Sequence, residues 1–88
     1  MTDQPSGLAF PCRYPVKVMT ESGPDARRAV LAAVADHAEF SISEDVRYRP
    51  SRNGRFESIT VTVQVESREQ LEALYAGLRR LDAVKMML

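Results

Sequence analysis

The side chains with the widest chemical range in this sequence are His37, Cys12 and the acids Glu44, Asp45, Glu66 and Glu69, and their number and spacing limit what they can do. His37 is the only histidine, so neither a serine–histidine–acid relay nor a multi-histidine metal site can be assembled. Cys12 is the single cysteine, which excludes an internal disulfide framework and any zinc knuckle of paired cysteines. With no adjacent histidine or second cysteine to activate or resolve it, it reads as an unpaired thiol. Glu44 and Asp45 lack a His or Cys companion and read as loop acids, whereas Glu66 and Glu69 flank a helix start, where the helix dipole favours negative charge. His37 reads as a packing or dipole-compensating residue near a helix end. A phosphate cradle would need several glycines, yet Gly23 is the only one near the first expected helix and Gly54 belongs to a turn. The chain is therefore read as non-enzymatic, with no cofactor and no metal.

Composition narrows the rest. Eighty-eight residues suit one domain, and a domain of this size buries only about 60 to 65% of the surface its unfolded chain exposes. The 44% hydrophobic and 27% charged content is that of a globular protein, and no run approaches the roughly 18 apolar residues of a membrane span. No basic cluster followed by an apolar stretch opens the chain, so a cytoplasmic location is expected. Twelve basic and twelve acidic side chains cancel, which removes any overall field for nucleic acid or an anionic membrane and requires an electropositive site to be local.

The elements follow from periodicity. Residues 1–9, rich in Gly, Pro and polar groups, are expected to fray, leaving one domain over 10–88. Val16-Lys17-Val18-Met19 alternates as a half-buried strand, expected over 14–21. Gly23-Pro24-Asp25 opens a helix, expected to about Ala38, whose Ala26, Ala29, Val30, Ala33, Val34 and His37 share one face. Asn53-Gly54 marks a type I′ hairpin turn, and centring the turn there pairs Tyr48 with Ile59, Val46 with Val61, Arg49 with Ser58 and Arg47 with Thr60, like facing like in all four. Ser67 and Gln70 form a capping box ahead of the apolar stripe Leu71, Leu74, Tyr75, Leu78 and Leu81, and Val84 to Leu88 closes the chain as a last strand.

This order, βαββαβ, specifies an α+β, ferredoxin-like fold: a four-stranded antiparallel sheet in the order 4-1-3-2 with two helices on one face. Pro50 then falls on an edge strand and Pro15 at the start of a central one, both permitted. The helices are expected to cover Val16, Val18, Val46, Tyr48, Ile59, Val61, Val63, Val65, Val84 and Met86. The opposite face has no cover within the chain, and alternation assigns to it Lys17, Met19, Arg47, Arg49, Phe56, Ser58, Thr60, Thr62, Gln64, Lys85 and Met87. Within that set Lys17, Met19, Arg47, Arg49, Phe56, Ser58, Thr60, Lys85 and Met87 make the candidate interaction face. RNA is disfavoured as its ligand, because the middle of the third strand offers Thr60 and Thr62 where RNA-recognition motifs stack bases on aromatic rings.

Lys17-Val18-Met19 after Phe10-Pro11, Pro50-Ser51, Gly54 with Phe56, Ser58 and Thr60 beyond it, then Gln70, Leu74-Tyr75, Leu78 and the terminal Val84 to Leu88 closely resemble the YbeD-like family of small bacterial proteins, over nearly the whole chain from Phe10. The resemblance implies a ferredoxin-like fold similar to the ACT regulatory domains of amino-acid metabolism and a regulatory role, with a link to lipoate biosynthesis suggested by genomic association. It supplies no catalytic residues. The resulting expectation is a regulatory or protein-interaction domain, acting through its open sheet face or an exposed strand edge, as a homodimer or with another protein. The alternative is small-molecule sensing, in the ACT manner, at the first strand-to-helix loop.

Overall fold

The computed structural model describes residues 9–88, so the expected fraying of the amino terminus falls, up to residue 8, outside them. The order of elements is β1 (Cys12–Glu21), α1 (Pro24–Ala35), α2 (Ile42–Asp45), β2 (Val46–Pro50), β3 (Phe56–Val65), α3 (Arg68–Arg79) and β4 (Val84–Met87). The four strands form one antiparallel sheet in the order β2-β3-β1-β4, the expected 4-1-3-2 read from the other edge. The fold is the expected α+β, ferredoxin-like one.

β1 sends Val16, Val18 and Thr20 to the helix side, each no more than 1% exposed, and β3 sends Ile59, Val61, Val63 and Val65 there as well. Val30 and Val34 of α1 and Leu71, Leu74 and Leu78 of α3 close the same core. β1 begins two residues earlier than expected, placing Pro15 inside it, paired with Thr62. This is tolerated because Lys17 accepts the Leu88 N–H from the β4 side, and Pro15, two residues before it, turns its missing donor to that same side, where β4 does not reach.

α1 starts where Gly23, at φ 144°, takes a conformation unfavourable to L side chains, with Pro24 in the first turn. It ends at Ala35, three residues short of the expected boundary; the His37 N–H bonds to the Val34 carbonyl, tightening the last turn. α3 is capped as read, the Gln70 N–H donating to Ser67 Oγ at 3.1 Å. The return bond goes one residue further back, from the Glu66 N–H to Gln70 Oε1, while Gln70 Nε2 donates to the His37 carbonyl and ties the start of α3 to the end of α1.

The hairpin register matches all four expected pairs. The turn itself differs. No non-glycine residue has positive φ among the described residues, so Asn53-Gly54 does not form a type I′ turn; Gly54 alone in this loop has positive φ, at 77°. The loop is held instead by side chains, with Ser51 Oγ accepting from the Phe56 N–H and Asn53 Oδ1 from the Arg55 N–H.

Two strand assignments are corrected. In β4, Val84 pairs with Thr20 and Met86 with Met19, so one extra residue, Lys85, bulges out and reverses the alternation. Met87, expected on the open face, pairs with Val18 and packs against the core, while Met86, expected in the core, is 54% exposed. Tyr48, also expected in the core, is 36% exposed because it lies on the edge strand. Arg27 covers it instead, its guanidinium carbon 3.9 Å from the ring centre. The same guanidinium makes two bonds, 2.7 and 2.8 Å, to the carboxylate of Glu57, which is 3% exposed beside the buried Thr20. This bidentate bond holds the Arg27 pKa above its ordinary value.

Candidate functional site

The open face is built from outward positions of β2, β3 and β1, joined by Met86 of β4. Register lines up two rows across the sheet: Arg47, Thr60 and Lys17 in one, and Arg49, Ser58, Met19 and Met86 in the next. Lys17, Arg47, Arg49, Ser58 and Thr60 line a shallow depression of about 550 Å³ between β2 and β1. Alternate residues along a strand stand about 7 Å apart and adjacent strands about 4.8 Å, so the three cations fan over roughly 10 Å. The hydroxyls of Thr60 and Ser58 lie between them.

Charge on this face is not evenly compensated. At one end Asp45 Oδ1 pairs with Arg13, and Asp45 Oδ2 accepts the Ser41 N–H at 2.7 Å. The backbone bond first, and the arginine second, hold the Asp45 carboxyl below its ordinary value. Asp45, read as a loop acid, is therefore a structural residue that closes α2. The remaining ion pairs among the described residues, Arg27 with Glu57 and Arg28 with Asp25, involve α1. Among the described residues Lys17, Arg47 and Arg49 have no carboxylate partner, and all three are exposed.

Six of the nine sequence-derived candidates are brought together in these rows: Lys17, Met19, Arg47, Arg49, Ser58 and Thr60. Phe56 lies on the same face but at its end, opposite Glu21, with Arg55 over its ring at 5.4 Å. Lys85 and Met87 do not join, for the bulge carries Lys85 to the β4 margin and Met87 to the core. Met86 takes the expected place of Met87 and was missed, because nothing in Val84-Lys85-Met86-Met87 signals an extra residue.

A second depression, about 460 Å³, lies at the junction of β1 and α1 and is lined by Glu21, Ser22, Gly23, Asp25 and Lys85, among others. It sets two carboxylates and one ammonium around backbone at a helix start. No group of three or more His, Cys, Asp or Glu side chains that could hold a metal occurs among the described residues. No helix there is long and apolar enough to cross a membrane.

Fold and site together define a small ferredoxin-like domain with a partly cationic sheet face that no described element covers. Residues 5–88 match the family described as "Protein of unknown function (DUF493)". The chain is 38% identical over 91 residues to a UPF0250 protein of Neisseria gonorrhoeae and 39% identical over 92 residues to one of Azotobacter vinelandii, covering all of both chains in each comparison. It belongs to this YbeD-like family of small bacterial proteins. In structure it is similar to protein HP0495 from H. pylori, with a TM-score of 0.71 and 18% identity, over 99% of this chain and 90% of that one. It is also similar to the uncharacterized protein TM1266 from Thermotoga maritima, with a TM-score of 0.56 and 20% identity, over 83% and 88% of the two chains. These two likenesses concern the fold alone.

Proposed function

We propose that this chain is a non-enzymatic regulatory, protein-interaction domain that engages its partner through the open sheet face. The observation that carries the reading is the set Lys17, Arg47 and Arg49, exposed on a face that neither α1 nor α3 covers and without a carboxylate partner among the described residues. Three uncompensated cations next to Met19 and the exposed Met86 suit recognition better than a solvated surface does.

The test is affinity capture from the native lysate with Thr60→Tyr, which places bulk in the centre of the face without changing charge, beside a helix-side control, Glu72→Tyr. Loss of the captured partner with the first variant and retention with the second is expected; retention with both would contradict the reading. Where the partner is a second copy of the chain, sedimentation at high concentration gives a dimer that Thr60→Tyr dissociates.

The β1–α1 depression favours a second reading, a small zwitterionic effector whose ammonium meets Glu21 or Asp25 and whose carboxylate meets Lys85. A ligand that binds only the folded chain raises its melting temperature. A thermal-shift screen of amino acids and lipoate-related acids, the latter chosen for the link that the family resemblance implies, would find such a ligand. A screen that moves nothing removes this reading.

A further inference from the structure

We propose that the partner of the open face is an extended acidic segment of another protein, added as a strand along the outer edge of β2, with acids at alternate positions set against Arg47 and Arg49. The inference rests on the open-face reading and adds the chemistry and geometry of the partner. β2 is an edge strand, so among the described residues one side of its backbone has no neighbour in the sheet. A strand added there would present every second side chain on the open face, about 7 Å apart, the same interval that separates Arg47 from Arg49. Cross-strand neighbours of opposite charge stabilise such a pair, and arginine accepts a carboxylate with two parallel bonds. Lys17, one strand pair further in beside Thr60, adds to the field over the same row. Pro50, which lacks an N–H, ends the pairing at the turn, so the edge accepts a short segment.

Other anions fit less well. The central outward positions of β3 are Ser58, Thr60 and Thr62, which give no surface for stacking bases, and the zero net charge gives no long-range attraction for a nucleic-acid backbone. A lone phosphate could not engage cations on both the edge and the interior strand while also using the open backbone of β2.

The experiment is a fluorescence-anisotropy titration of the full chain with a labelled, end-blocked octapeptide containing Glu-Val-Glu between threonines. Parallel titrations use the same peptide with Gln-Val-Gln, an oligouridylate, and inorganic phosphate as competitor. The Glu-Val-Glu peptide should bind, and its affinity should fall with added salt. Affinity should also fall at least about tenfold in Arg47→Gln/Arg49→Gln, as expected when charge-assisted hydrogen bonds are removed. Lys17→Gln should give a smaller loss, and all variants should keep the wild-type circular dichroism, since the three side chains are exposed. Equal binding of the Gln-Val-Gln peptide, tighter binding of oligouridylate, complete competition by millimolar phosphate, or no binding at all would each overturn the inference. If the peptide fails while Thr60→Tyr still abolishes native capture, the open-face reading stands and only the acidic strand falls. If Thr60→Tyr also captures normally, both fall.

Discussion

Removing Arg27 and removing Glu57 are unequal perturbations, although both break the same pair. Arg27 is 43% exposed in its side chain and can return to water, whereas Glu57 is 3% exposed and cannot. Arg27→Met therefore leaves a buried carboxylate without a partner and also uncovers Tyr48, while Glu57→Gln keeps an acceptor for the guanidinium and should cost about 1 to 2 kcal/mol. Urea unfolding should rank Arg27→Met as the less stable variant; the reverse order would mean that the pair is held mainly by exposed atoms. Asp45 gives a prediction in pH. Its folded-state value is depressed, so its contribution is fully present above the ordinary carboxyl value of 3.8 and is lost as pH falls through the lower folded value. Asp45→Asn should flatten the acid limb of the stability curve below about pH 4, as followed by the Ser41 amide resonance. Glu57 was legible in principle, since it shares the parity of Ile59 and Val61. Its partner was not, because Arg27 lies 30 residues away and only the fold brings the two together.

Elements were legible where one strong local signal agreed with a periodicity. Alternation on both sides of Asn53-Gly54 set the β2–β3 register, and the register holds even though the turn uses Ser51 and Asn53 side chains in place of a type I′ geometry. Ser67 and Gln70 announced α3, and Ser67→Ala should cost about 1 kcal/mol, measured as a lower urea midpoint with unchanged slope. An unchanged midpoint would mean that the bond Gln70 accepts from the Glu66 N–H and the bond it donates to the His37 carbonyl suffice to start the helix. β4 was illegible in phase because four residues carry too little periodicity to reveal a bulge, and α2 because one four-residue turn has no periodicity. The open face survives both misreadings, since six of its residues come from β1, β2 and β3, whose register alternation determines.

At the scale of the whole molecule, two sets of charges have different surroundings. Arg27 with Glu57 and Arg13 with Asp45 bind elements together, while Lys17, Arg47 and Arg49 are cations without a carboxylate partner among the described residues that gather on the side of the sheet that no described helix covers, opposite the side filled with Val, Ile and Leu. A ferredoxin-like layer has only one face for its helices, so the second face is either solvated or used by a partner. The methionines report which. Met19 and Met86 face each other on the open side, and Met87 packs toward the core. Methyl NMR of the ¹³C-methionine-labelled chain, with and without its captured partner, should show the Met19 and Met86 signals shifting or broadening while Met87 holds its position. Signals of Met19 and Met86 that stay fixed on binding would contradict the claim that the open sheet face is where this protein meets its partner.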